Sequence, residues 1–378
     1  MAGLYIHIPF CRSRCIYCAF YSTTLSDEWQ DRYVDALCRE MDLRSTISED
    51  IATIYLGGGT PSLLSEANLL KLFTHINEVY GLDHVQEVTI ECNPDDITDA
   101  FRHTLQLLPV NRVSLGAQTF DAERLRFLQR RHTALQVNEA IDRLRQNRID
   151  NISLDLMFGF PEQTTAQWSA DIDHALALRP EHISAYSLMI EEGTPLFKRI
   201  EKGELRIGKN AEETSRQMYE LLTDRLANAG YEHYEISNWS LPGHRSRHNS
   251  SYWNDTPYIG LGAAAHSYDL KTRSWNTADL RSYVEAINLG QRPCESEEIN
   301  EATHYNDIIT TSLRTRKGLL FSAVPERFRG YLLNSAQRSI QSGLLEKNTF
   351  ADDTVLCLTR EGLFVSDDVM SDLIFVDE

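Results

Sequence analysis

The sequence predicts an α/β fold: a parallel sheet of six barrel-like βα repeats with its site at one end, and a smaller α+β domain behind it. Three observations predict it. Short apolar, β-branched stretches alternate with segments of helical apolar spacing from Leu4 to about Ile190. The chemically unusual residues fall just after those stretches. Near Asn300 the texture changes to helices followed by a small strand pair.

Element by element, the strands expected are "LYIHI", "TIYLGGG", "EVTIECNP", "RVSLGAQ", "NISLDLMFG" and "HISAYSLMI". Between them, "DEWQDRYVDALCREMDL", "SEANLLKLFTHINEVY", "TALQVNEAIDRLRQNR" and "TAQWSADIDHALAL" repeat apolar residues every three or four positions, as a helix with one buried face does. Such alternation calls for parallel strands, because parallel neighbours need long crossovers, usually helices. After the strands come Cys11, Cys15 and Cys18, then Gly57-Gly58-Gly59-Thr60-Pro61, then Glu91 and Asn93, Gln118, and Asp155. The carboxyl ends of strands in βα repeats form the site, so one cavity is expected to collect them. Past Ile190 the reading is a long helix near 210 to 229, a strand "HYEISNW" and a loop "SLPGHRSRHNSSYWNDTPYIGLGAAAHS". Last come helices in "ATHYNDIITTSLRT" and "SAVPERFRGYLLNSAQRSIQSGLL", then paired strands "VLCLT" and "GLFVS". The expected divisions are 1–200 for the barrel, 201–299 for an extension of it, and 300–378 for a winged-helix-like appendage.

A chain of 378 residues with 42% hydrophobic residues can bury a large core. Its net charge of -18 disfavours an electrostatic hold on nucleic acid or an anionic membrane. Between 300 and 378, eight Lys and Arg face twelve Asp and Glu, which argues against a DNA role for that part. No apolar run approaches the roughly 20 residues of a spanning helix, so no integral membrane segment is expected. The opening "MAGLYIHIPF" alternates like a strand rather than forming an export signal. Seven cysteines, three clustered and four scattered, do not form a disulfide framework, and a cytoplasmic location is expected.

Thiolates spaced C-x3-C-x2-C converge on one metal centre, and sulfur ligands favour zinc or iron–sulfur chemistry. Structural zinc takes four protein ligands; the sequence offers three cysteines and no second pair, with His7 as the one nearby candidate to complete such a site. Three cysteines suit a [4Fe–4S] cluster with one iron left open to a small molecule.

The cysteine triplet after the first strand and "GGGTP" after the second together resemble the radical S-adenosylmethionine (SAM) family. That resemblance implies a partial (β/α)6 TIM-like barrel of the radical SAM type. It also implies that Cys11, Cys15 and Cys18 hold the cluster and that Tyr17 packs on adenine. Gly58, Gly59 and Thr60 would give backbone access to the methionyl group, and Tyr5, Glu91, Gln118, Arg130, Asp155 and Met189 would complete the cofactor contacts. Within that family, "YIHIPFC", "YLGGGTPS", "LGAQTF" and "DLMFGFPEQT" resemble the oxygen-independent coproporphyrinogen III oxidase group over nearly the whole chain. The oxidases of that group carry a further cysteine two residues after the third, where this chain has Phe20. Its "HNSSYW", with His248, Asn249, Tyr252 and Trp253, instead resembles the HNxxYW signature of the HemW haem chaperones.

What the resemblance implies is a haem chaperone that binds haem, SAM and a [4Fe–4S] cluster and delivers haem to acceptor haemoproteins, with an electron donor for the cluster as a further partner. His248 is the expected haem ligand, with His244 and His266 as alternatives; no catalytic residue is assigned. The other implied activity is that of a coproporphyrinogen III oxidase converting coproporphyrinogen III to protoporphyrinogen IX.

Overall fold

The computed structural model describes residues 1–45, 50–206, 208 and 211–376. Its main sheet begins with six strands: β1 (Ala2–Ile8), β2 (Ile51–Gly58), β3 (Glu87–Cys92), β4 (Arg112–Gln118), β5 (Asn151–Phe158) and β6 (His182–Ser187). They lie side by side in sequence order, all parallel. Six more strands follow: β7 (Glu232–Glu235), β8 (Asn238–Ser240), β9 (Tyr258–Leu261), β10 (His266–Tyr268), β11 (Thr272–Asn276) and β12 (Cys294–Glu298). β8 and β7 extend the β6 edge, while β9 pairs parallel to β1 and carries β10, β11 and β12 antiparallel beyond it. Among the described residues no strand pairing joins β7 to β12, so the twelve-stranded sheet is open at both edges.

Strand alternation explains how this wall faces two environments. Leu4, Ile6 and Ile8 of β1, Ile54 and Leu56 of β2, and Val113 and Leu115 of β4 are buried in the main apolar core. Helices such as Asp27–Leu43 and Glu66–Tyr80 pack their apolar stripes into the same core. Each such Leu or Ile stabilises the fold by about 1.5–3 kcal/mol. The intervening residues, Tyr5 and His7, Thr53 and Tyr55, Thr89 and Glu91, Arg112 and Ser114, Ser153 and Asp155, project to the opposite, concave face. That face is polar. Two crossover helices start at capping boxes, Thr133 with Gln136 and Thr164 with Gln167, which occupy two of the orphan amide donors at each start.

Three expectations are corrected. "HYEISNW" is a tight hairpin rather than one strand, because the buried Glu235 carboxylate accepts from the Ser237 amide (3.1 Å) and from the Asn238 side chain and turns the chain there. The expected loop after Ser240 contains the helix Arg247–Tyr252 as well as β9 and β10. "GLFVS" begins as helix Arg360–Phe364, capped by the Thr359 hydroxyl, which accepts from the Gly362 amide at 3.1 Å. The partner of "VLCLT" is instead "LEKNTF": β14 (Leu345–Phe350) pairs with β15 (Asp353–Leu358) across Ala351-Asp352, both at positive φ as a two-residue hairpin requires. With β13 (Leu319–Leu320) they form a three-stranded sheet, and Tyr305, Ile309, Phe328, Leu332 and Leu373 share a second apolar core. Position 210 of the expected helix lies outside the described residues; the helix runs Ala211–Asn228. Among the described residues no helix is long and apolar enough to cross a membrane.

Candidate functional site

At the carboxyl ends of β1 to β6 a cavity of about 570 Å³ opens. The cysteine loop forms its rim. Its stem is laced to the neighbouring loop by backbone: the Gly59 amide donates to the Ile8 carbonyl (2.8 Å), Thr60 to Phe10 (2.8 Å), and Cys11 to Thr23 (2.9 Å). A Cβ on Gly59 would stand 2.8 Å from the Ile8 and Phe10 carbonyl oxygens, and one on Gly58, at φ 105°, would strike the His7 ring at 2.4 Å. These glycines are therefore required by the cysteine loop's own stem, a different reason from direct access to a ligand.

Cys11, Cys15 and Cys18 all line the cavity. Burial pushes the Cys11 and Cys18 thiols up, so they favour the neutral form until a cation arrives. Among the described residues no three His, Cys, Asp or Glu stand close enough to share one metal ion. A tetrahedral zinc would need its sulfurs about 3.8 Å apart. His7 does not complete such a set: it is buried, with Nε2 3.0 Å from the Tyr21 carbonyl and Nδ1 3.0 Å from the Tyr5 hydroxyl. The thiols fit a multi-iron cluster, and two donors already address them. Arg130 Nη1 lies 3.6 Å from Cys15 Sγ and Thr60 Oγ1 3.5 Å from Cys11 Sγ, the kind of outer hydrogen bond that tunes sulfur ligands.

Arg130 is itself fixed, since Nη2 donates to Asn93 Oδ1 (2.7 Å) and to the Gly116 carbonyl (2.6 Å). The Gly116 approach is close enough that a Cβ there would meet Arg130 at 3.0 Å. Gln118 follows a bulge against β5 and sits at φ 67°, a conformation disfavoured for a residue with a side chain, and it lines the cavity.

Two carboxyls face the interior. Glu91 accepts from the Tyr55 hydroxyl (2.8 Å) and the Gly58 amide (3.1 Å), and burial pushes its pKa up to about 7 against those bonds. Asp155 accepts from the Ser114 hydroxyl at 3.1 Å, and burial raises it to about 6. A cavity with two carboxyls held this reluctantly as anions favours a cationic ligand. Of the other expected residues, Tyr17 and Met189 also line it, Met189 being 64% exposed at the mouth. Tyr55, Ser114, Ser184 and Asn249 line it too, and the sequence reading did not single them out as contacts. Strand alternation alone would have found the first three, as inward neighbours of Glu91 and Asp155.

Tyr5 and His248 are not among the cavity residues. Tyr5 lies deeper, its ring 6.2 Å from Tyr55 and 6.5 Å from His248. His248 is fully buried, with Nδ1 2.8 Å from Thr53 Oγ1 and Nε2 2.9 Å from the Tyr252 hydroxyl. Burial holds its pKa down to about 3. Both nitrogens have protein partners, so a haem-ligand role for His248 would require one of these hydrogen bonds to be given up. The Glu87 carboxylate accepts the amides of Arg247 (3.0 Å) and His248 (2.9 Å), which pins the short helix inside the concave face. The motif's His and Tyr lock that helix, and its Asn249 reaches the cavity.

Residues 5–175 match the model of the radical SAM superfamily. The haem chaperone HemW of Lactococcus lactis is 34% identical, over 99% of this chain and 97% of its own. That of Bacillus subtilis is also 34% identical, over 98% of each. Among solved structures, the coproporphyrinogen III oxidase HemN of Escherichia coli superposes with a TM-score of 0.85 over 99% of this chain and 90% of its own, at 20% identity, a likeness of fold.

Proposed function

Since this chain belongs to the radical SAM superfamily and, within it, to the HemW family, we propose that it binds haem and passes it to acceptor haemoproteins, using a cavity that also takes a [4Fe–4S] cluster and SAM. The observation that carries this reading is the pairing of three cavity-lining thiols with Phe20, which stands 71% exposed at the rim where the oxidases resembling this chain have a fourth cysteine. When bound, the cluster and SAM supply a one-electron centre and a ligand with positive charge. The chain's own residues then have defined tasks. Cys11, Cys15 and Cys18 hold the cluster, while Arg130 and Thr60 donate toward two of the sulfurs. Glu91 and Asp155 supply the negative charge that receives a sulfonium or ammonium group, and Tyr17 offers a flat face. An electron donor would serve the cluster, and the three-stranded C-terminal domain is read as winged-helix-like.

The test is transfer. Haem-loaded, anaerobically reconstituted protein mixed with an apo-haemoprotein should lose its haem to the acceptor, followed by the acceptor's Soret band and regained activity. Haem that stays put, or leaves no faster than it does into plain buffer, would sink the reading. A second reading, a coproporphyrinogen III oxidase, is favoured by the gathering of the three thiols with Glu91, Gln118, Arg130 and Asp155 around one cavity. Protoporphyrinogen formed anaerobically from coproporphyrinogen III would establish it.

A further inference from the structure

A haem carrier needs an iron ligand, and the surroundings of the twelve histidines narrow the choice. His7, His182 and His248 are buried with both ring nitrogens engaged, and the buried His132 rests on the Ala117 carbonyl. His75 and His304 pair with carboxylates, His174 with Asn138, and His233 with the Ile236 carbonyl. Among the described residues, four have no hydrogen bond or ion pair from the imidazole: His84, His103, His244 and His266. His84 precedes β3 and His103 lies on the outer helix Asp99–Gln106. His244 precedes the short helix whose start is bound by Glu87 at the beginning of β3, so it too lies at the far end.

His266 is placed differently. It opens β10, which runs antiparallel to β9, and β9 runs parallel to β1, so His266 follows the turn at the end of β9 that points toward the cysteine loop and lies level with Tyr5 of β1. Its face follows from the register. Gly3 faces inward, since a Cβ there would meet the His248 ring at 3.2 Å. Gly3 pairs with Tyr258, Tyr258 with Tyr268, and His266, two residues before Tyr268, shares that face. Directly opposite is Trp275, its ring stacked on the imidazole at 5.9 Å and 27°. A Cβ on Gly260 would collide with the His266 carbonyl oxygen at 1.9 Å, so only glycine lets the start of β10 cross here. The imidazole is exposed. Partial burial and the nearby Arg273 guanidinium lower its pKa, which favours the neutral, metal-binding form. The Leu280 amide just past β11 donates to the Tyr21 hydroxyl (2.6 Å), which ties this wall to the loop bearing the exposed Phe20.

Resting on the haem-carrier reading, we infer that His266 is the protein ligand to the haem iron and Trp275 the aromatic surface beside the porphyrin, on the concave face of β9 to β11. An imidazole supplies the axial bond and the indole supplies apolar area beside it.

Haem titrations of reconstituted wild type, His266→Ala, Trp275→Ala and His248→Ala test this, read by Soret position, affinity and iron content. His266→Ala should lose the imidazole-type spectrum and weaken binding roughly tenfold or more, and added free imidazole should restore the spectrum. Trp275→Ala should weaken binding less and keep the spectrum. His248→Ala, where it folds and holds its cluster, should bind haem as wild type does. Haem bound by wild type and unchanged in His266→Ala, or lost only in a folded His248→Ala, overturns this assignment alone. No haem on a wild type with an intact cluster overturns the carrier reading itself.

Discussion

Glu91 and Asp155 show how a site is written at single positions. Both are carboxyls buried inside the protein, where desolvation outweighs the pull of the nearby Arg112 guanidinium, so the folded chain prefers them protonated at pH values where the unfolded chain has already ionised them. Between the ordinary carboxyl range near 4 and their raised values of about 6 and about 7, these two groups cost stability as pH rises, and the full cost is present above about 7. Asp155→Asn should therefore stabilise the ligand-free protein by roughly 1–2 kcal/mol at pH 8 and by almost nothing near pH 4, measured by urea unfolding. The same change should weaken SAM binding. Because a cation favours the ionised carboxylates, wild-type affinity for SAM should fall on acidification through pH 7 to 6; calorimetry showing a flat profile from pH 8 to 5.5 would contradict the assignment. His248 carries the opposite lesson. Its ring fills a buried slot between Thr53 and Tyr252, so His248→Ala should cost about 2–4 kcal/mol, seen as a lowered urea midpoint.

At the scale of elements, the six parallel strands were legible because each alternates aliphatic residues toward the helices with polar ones toward the cavity, as "LYIHI" and "NISLDLMFG" do. The cysteine loop and "GGGTP" were legible as chemistry, but the glycines' reason was not. Only register shows that Gly59 lies against the backbone of Ile8 to Phe10. Gly59→Ala should prevent the loop from closing and abolish cluster incorporation, read by iron and sulfide content of the reconstituted protein. A fully loaded Gly59→Ala protein would show that the stem tolerates displacement. "LEKNTF" was missed because all but its first residue are exposed, so it carries no apolar period to read. The burial of His248 in "HNSSYW" was not legible for a related reason: a histidine in a polar stretch reads as available, and burial by Thr53, Tyr55 and Tyr252 comes from strands and helix that no local pattern reveals.

For the whole molecule, the sheet continues past β1 through β9 to β12, so it is wider than the six repeats alone would make it. That extension carries the stacked His266 and Trp275 pair, which lies outside the carboxyl-lined cavity. The polar concave face and the separate C-terminal core divide the labour of the chain: one core holds the strands, the other holds Tyr305 to Leu373. The most direct test of a carrier is stoichiometric. Anaerobically reconstituted protein with a full cluster is mixed with excess haem, passed through gel filtration, and its Soret absorbance recorded per chain. One retained haem per chain is the expected result; no retained haem, with iron and sulfide at full cluster occupancy, would contradict the account.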